Sequence, residues 1–180
     1  ALVTCFGTLL VTIGSVGTHA ACPASLGYSR YSTRHTIQVQ WNSLFTPFAN
    51  DANAGMNMWN VGCNGWAGSK YPEFSPSGGF MSAPLTIDYK PNDHGPSQPS
   101  CGGECRALYD PNTGTITLYG YQGGVSWSSL SPAIRSRLLA HEFGHALGLE
   151  EDDCSGGIMK IPIGGTESIL SGECDVANTE

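Results

Sequence analysis

Two histidines, His141 and His145, stand four residues apart, with Glu142 beside the first and Gly148 three residues past the second. Four steps along an α-helix return almost to the same face one turn on, so both imidazoles reach one point only if this run is helical. The spacing therefore demands a helix before anything else about the chain is read. Ser131-Pro132 supplies its start, a capping hydroxyl followed by proline at the first helical position. The helix is expected to run to about Leu147, with Gly148 as its stop. Leu138, Leu139, Phe143, Ala146 and Leu147 make it apolar on several faces. A helix of that kind is buried, and buried His and Glu need partners.

The pattern His-Glu-x-x-His has a physical meaning. Neutral imidazoles suit zinc. Glu142 projects next to such an ion rather than onto it, where a carboxylate can take the proton of a metal-bound water attacking a peptide carbonyl. With 5 His, 8 Glu and 24 Gly in 180 residues, chance expects roughly 0.006 copies of the pattern, and roughly 0.0008 with Gly148 added. A solvated surface helix, the bland alternative, conflicts with the apolar surround.

Two histidines leave the ion short of a ligand. Gly148 permits a sharp turn, and the chain then offers Glu150, Glu151, Asp152 and Asp153. Glu151, three residues past Gly148, is favoured by spacing, with Asp152 and Asp153 as alternatives. In His141, Glu142, His145, Gly148 and Met159 of Gly157-Ile-Met-Lys160, the chain resembles the metzincin zinc endopeptidases, matrixin-like and snapalysin-like members above all. It departs from them at position 151, where Glu replaces the third His or Asp.

The resemblance implies an α+β metzincin-like zincin domain. A twisted mixed sheet carries a packed first helix, and an active-site helix is followed by a Met-turn. It implies that Met159 floors the metal without binding it. It also implies that Thr115, Ile116, Thr117, Leu118 and Tyr119 form an edge strand that pairs with an extended substrate, where a plain interior strand is the alternative. One catalytic Zn2+ is expected. Asp88, Asp93 and Glu104 could serve a calcium ion, although acidic loop residues are usually just solvated. The lone His35 and His94 read as structural or surface residues. The start of a last helix is expected at Ile169 to Val176.

Elsewhere periodicity gives the elements. Residues 35–41 and 85–89 alternate as strands, as do 106–109 and 115–119 around the Asp110-Pro-Asn-Thr-Gly114 turn. Thr46-Pro47 reads as the cap of an amphipathic helix through Met56 and Trp59, with Phe45 stapled onto it. Residues 61–82 and 91–104 read as polar loop.

The N-terminal 1–20 reads as a partial signal peptide, apolar with Thr18-His19-Ala20 as its cleavage site, and 21–180 as one domain cut short in its last helix. Removing it with Cys5 leaves six cysteines: Cys22, Cys63, Cys101, Cys105, Cys154 and Cys174. An even count in an exported chain argues for disulfides. Proximity suggests Cys101–Cys105 and Cys154–Cys174, leaving Cys22–Cys63. A net charge of −7 disfavours nucleic acid as a partner. The expectation is a secreted, monomeric zinc endopeptidase acting on protein or peptide, with no membrane partner once the leader is gone. Its rivals are an inactive secreted binding module on the same fold, a metal-free disulfide-stapled domain, and a hydrolase for non-peptide amides.

Overall fold

A computed structural model describes residues 36–63, 73–77, 84–98, 101, 103–151, 156–160, 167–169 and 173–174. The expected leader, Cys22, Asp152, Asp153, Cys154 and most of the expected last helix lie outside these residues. Among the described residues, no helix is long and apolar enough to cross a membrane.

The architecture is α+β. Strands β1 (Thr36–Trp41), β2 (Glu73–Pro76), β3 (Leu85–His94), β4 (Ser97–Gln98), β5 (Gly103–Glu104), β6 (Ala107–Asp110), β7 (Thr115–Gln122) and β8 (Val125–Ser126) accompany helices α1 (Ala49–Gly62) and α2 (Pro132–Ala146). The main sheet has the order β2-β1-β3-β7-β6, with β8 on the end of β7. The first three pairings are parallel and β6 is antiparallel to β7. Alternation works as expected: Ile37, Val39, Leu85, Ile87, Ile116 and Leu118 are fully buried, and they join residues of both helices in one cluster.

Side-chain caps start α2 and the 3-10 turn that leads into α1. Ser131 Oγ accepts the Ile134 N–H at 3.3 Å, and Pro132 follows in the first turn of α2, a cap worth about 1 kcal/mol. Ahead of α1 the sequence expectation is corrected. The chain turns at Asn42, not Thr46. Asn42 Oδ1 accepts the Phe45 N–H at 3.1 Å, and its amide is held by Asp88 Oδ1 and the Tyr89 carbonyl. Pro47 falls inside a 3-10 turn, Ser43–Phe48, that leads into α1.

The helices cross closely. Trp59 Nε1 donates to the Ala140 carbonyl at 2.7 Å, and Arg135 Nε donates to Asp51 Oδ2 at 2.6 Å with both side chains largely buried. Removing one partner of such a pair costs about 3–5 kcal/mol, because the other charge stays buried. On the sheet side, Phe143 of α2 lies 4.9 Å from Phe74 of β2.

Several expectations change for tertiary reasons. Residues 61–82 contain a strand: the Asn60 side chain binds both backbone groups of Phe74 and so pulls Glu73–Pro76 onto β1. The polar stretch 91–104 holds the end of β3 and the small β4–β5 pair. Thr115 to Tyr119 is an interior strand, bonded to β3 on one side and β6 on the other; β6 lies at the edge instead. Cys101 is bonded to Cys105, as expected, but Cys174 is bonded to Cys63, 111 residues away, which corrects the expected pairings Cys154–Cys174 and Cys22–Cys63. Here folding, not chain distance, brings the thiols together.

Gly55 marks the closest approach of the helices: an added Cβ would lie 2.9 Å from the Ser136 carbonyl oxygen and 3.1 Å from the Ala140 nitrogen. These are backbone atoms that cannot step aside. Gly55→Ala is expected to destabilise the protein by about 1–3 kcal/mol, read as a lower urea midpoint; an unchanged midpoint would refute this packing.

Candidate metal centre

Helix α2 ends in a tight reversal. The Leu149 N–H reaches back to the Gly144 carbonyl at 3.1 Å and the Gly148 N–H to the His145 carbonyl at 3.1 Å. This is the paired bonding that a left-handed residue after a helix allows, and Gly148 has φ of 95°. Without that glycine the chain would not double back over the last turn of the helix. Because it does, the Leu149 carbonyl lies 2.8 Å from His145 Nδ1.

A second turn meets the other histidine. In Gly157–Lys160 the Lys160 N–H bonds the Gly157 carbonyl, and a bridge from Gly157 to Ser168 anchors the turn. The Ile158 carbonyl accepts from His141 Nδ1 at 2.9 Å. Met159 in the same turn is fully buried. It packs against Gly144, where an added Cβ would collide with its sulfur; Gly144 lies on the same helix face as His141.

These two carbonyls decide the histidine chemistry. A carbonyl oxygen only accepts, so both Nδ1 atoms carry the proton and both Nε2 atoms present lone pairs. The two Nε2 atoms are 3.1 Å apart. Lone pairs aimed at each other repel, so this arrangement suits an electron-poor centre shared between them. Protonation is not the ready answer. Burial, then the neighbouring His145, pushes His141 down to about 3, and burial also lowers His145. Glu151 completes the group: one ligand atom each from His141, His145 and Glu151 all lie within 4.8 Å of one another. This group could hold a metal ion, and two imidazoles with one carboxylate fit a divalent first-row cation.

Glu142 is buried, and its Oε2 has no hydrogen-bond partner among the described residues. The carboxylate does accept from the Tyr109 N–H, and the sheet explains why that group is on offer. The Tyr119 N–H donates to the Arg106 carbonyl, so in the antiparallel ladder the Leu108 backbone faces β7 while that of Ala107 and Tyr109 faces outward. Burial first, and the charge of Glu151 second, push the Glu142 carboxyl up to about 8. A cation among the three ligands would oppose both effects. An orphaned carboxylate oxygen beside converging lone pairs is what a cation-dependent site requires.

The sequence-predicted His141, Glu142, His145 and Glu151 are thus brought together, with Met159 packed behind them. Thr115 to Tyr119 are one strand removed from the site. Asp88 instead binds Asn42 and pairs with Lys90, and Glu104 binds the Gly123 N–H and His94. What sequence reasoning missed is backbone: the Ile158 and Leu149 carbonyls and the Tyr109 N–H carry no residue signature. Glu173, described below, was missed too.

No protein-family model matches the chain, and no curated protein matches it. Among solved structures it is similar to one described as "Structure of myroilysin", with a TM-score of 0.40 and 14% identity, covering 64% of this chain and 48% of that one. The chain spans about half the length of that structure.

Burial of the Glu142 carboxyl ties the stability of the fold to pH. The fold holds a proton that the unfolded chain releases above about 4.5, so this group costs stability as pH rises from about 4.5 to 8. In chelator-stripped protein, Glu142→Gln should therefore gain several kcal/mol over wild type between about pH 5 and 8, measured by urea unfolding. Parallel pH profiles for the two proteins would contradict it.

Proposed function

We propose that the chain is a secreted zinc-dependent endopeptidase of the metzincin kind, with His141, His145 and Glu151 as zinc ligands and Glu142 as general base. The observation that carries this reading is the pair of His Nε2 lone pairs, fixed by two backbone carbonyls and facing each other at 3.1 Å beside a carboxylate. A zinc ion there would supply Lewis acidity, polarising the scissile carbonyl and making a water easier to deprotonate.

The protein's own groups do the rest. Oε2 of Glu142 takes the proton of the attacking water and later delivers it to the leaving amine. The Tyr109 N–H holds the other side of that carboxyl, so the base cannot swing away during the transfer. The outward-facing backbone of Ala107, on edge strand β6, would pair with an extended peptide chain. This moves the expected substrate strand from Thr115–Tyr119 to Ala107–Asp110. Met159, fully buried against Gly144, closes that side of the ligand helix with apolar surface.

The two disulfides among the described residues support secretion, since such bonds persist in oxidising compartments. A protein or peptide substrate, a monomeric state and no nucleic-acid partner complete the reading; the acidic net charge of −7 supports the last.

Glu142→Gln should keep zinc binding and lose hydrolysis of casein by about 100-fold or more. The assay pairs metal analysis with a digestion time course. Near-normal turnover in that variant would sink the mechanism, and digestion that survives chelation would sink the metal dependence.

A further inference from the structure

Glu173 lies outside the ligand group, yet its side chain is completely buried. Burying a carboxylate is costly unless something holds it. Its Oε1 accepts the Met159 N–H at 3.0 Å. That N–H belongs to the same peptide group as the Ile158 carbonyl, which in turn accepts from His141 Nδ1 at 2.9 Å. One planar peptide unit therefore carries a carboxylate on its N–H end and an imidazole on its C=O end.

We infer that Glu173 is a positioning residue that acts on the proposed zinc centre through the Ile158–Met159 peptide and His141; the inference rests on the metal reading above. A carboxyl oxygen accepting at the N–H end polarises a peptide and makes its carbonyl a better acceptor. The stronger acceptor draws on the Nδ1 proton and leaves more electron density at His141 Nε2, the ligand atom. The same contact stops the turn from rotating, which fixes the direction of the ring. Histidine ligands are commonly oriented by a carboxylate directly; here a peptide group is interposed. The next residue, Cys174, is bonded to Cys63, and both are buried. The disulfide thus pins Glu173 against the end of α1.

The test compares wild type, Glu173→Leu and Glu173→Gln. Zinc affinity is measured by competition with a chromophoric chelator, and thermal unfolding is followed on metal-stripped protein. Glu173→Leu relieves the burial of a carboxyl group but leaves the Met159 N–H without its acceptor, two effects of opposite sign on stability, so its unfolding midpoint should change little. Its zinc affinity should nonetheless fall about tenfold or more. Glu173→Gln keeps an acceptor oxygen and should lose less, about threefold. Wild-type zinc affinity in Glu173→Leu would overturn the inference, as would a loss that merely tracks a lowered midpoint. If Glu173→Leu does not fold, wild-type affinity in Glu173→Gln at an unchanged midpoint overturns it. Failure of the wild type itself to bind zinc would instead overturn the metal reading, and this inference with it.

Discussion

Two backbone carbonyls, those of Leu149 and Ile158, determine what this site can do. Each takes one histidine Nδ1 proton, so each leaves a lone pair at Nε2. Without them the rings could rotate or exchange tautomers, and the pair would be two ordinary buried histidines. With them, two donors converge and neither has a proton to share with the other. The energetic demand is for a cation rather than for another hydrogen bond.

The rest of the structure serves to fix those carbonyls. Gly148 turns the chain back so that Leu149 reaches His145. The Gly157–Lys160 turn is held by Ser168 and Glu173, so Ile158 reaches His141. Helix α2 is held in its turn by α1, through the Trp59 hydrogen bond, the Asp51–Arg135 pair and the close approach at Gly55. The sheet places α1 by way of the aromatic contacts of Phe45 and Phe48 with Tyr89. The burial of aromatic surface around Tyr89 is thus tied to the direction of an imidazole on α2.

What could be read from the amino acids alone follows from how local each signal is. The His141–His145 spacing, the Ser131 cap and the left-handed Gly148 depend on neighbours within a turn, so they were legible. The alternating strands were legible because Ile37, Val39, Leu85 and Ile87 face one side at period two. The Asn42 cap was not, because its amide is claimed by Asp88 and Tyr89, some 46 and 47 residues on. Strand β2 depends on Asn60, and the Cys63–Cys174 bond on the whole fold. The resemblance put the edge strand at Thr115–Tyr119, and alternation could not correct it, because β6 and β7 both alternate; only their pairing decides which one lies outside. Glu173 gave no signal, since its meaning lies in a peptide group fourteen residues earlier.

The central claim is that His141, His145 and Glu151 hold one zinc ion. Zinc-edge X-ray absorption of the protein loaded with one equivalent of zinc and dialysed tests it most directly. The account predicts retained zinc with two imidazole nitrogens and carboxylate oxygen in its first shell, and no sulfur. Loss of the zinc on dialysis, or a shell containing thiolate sulfur, would contradict it.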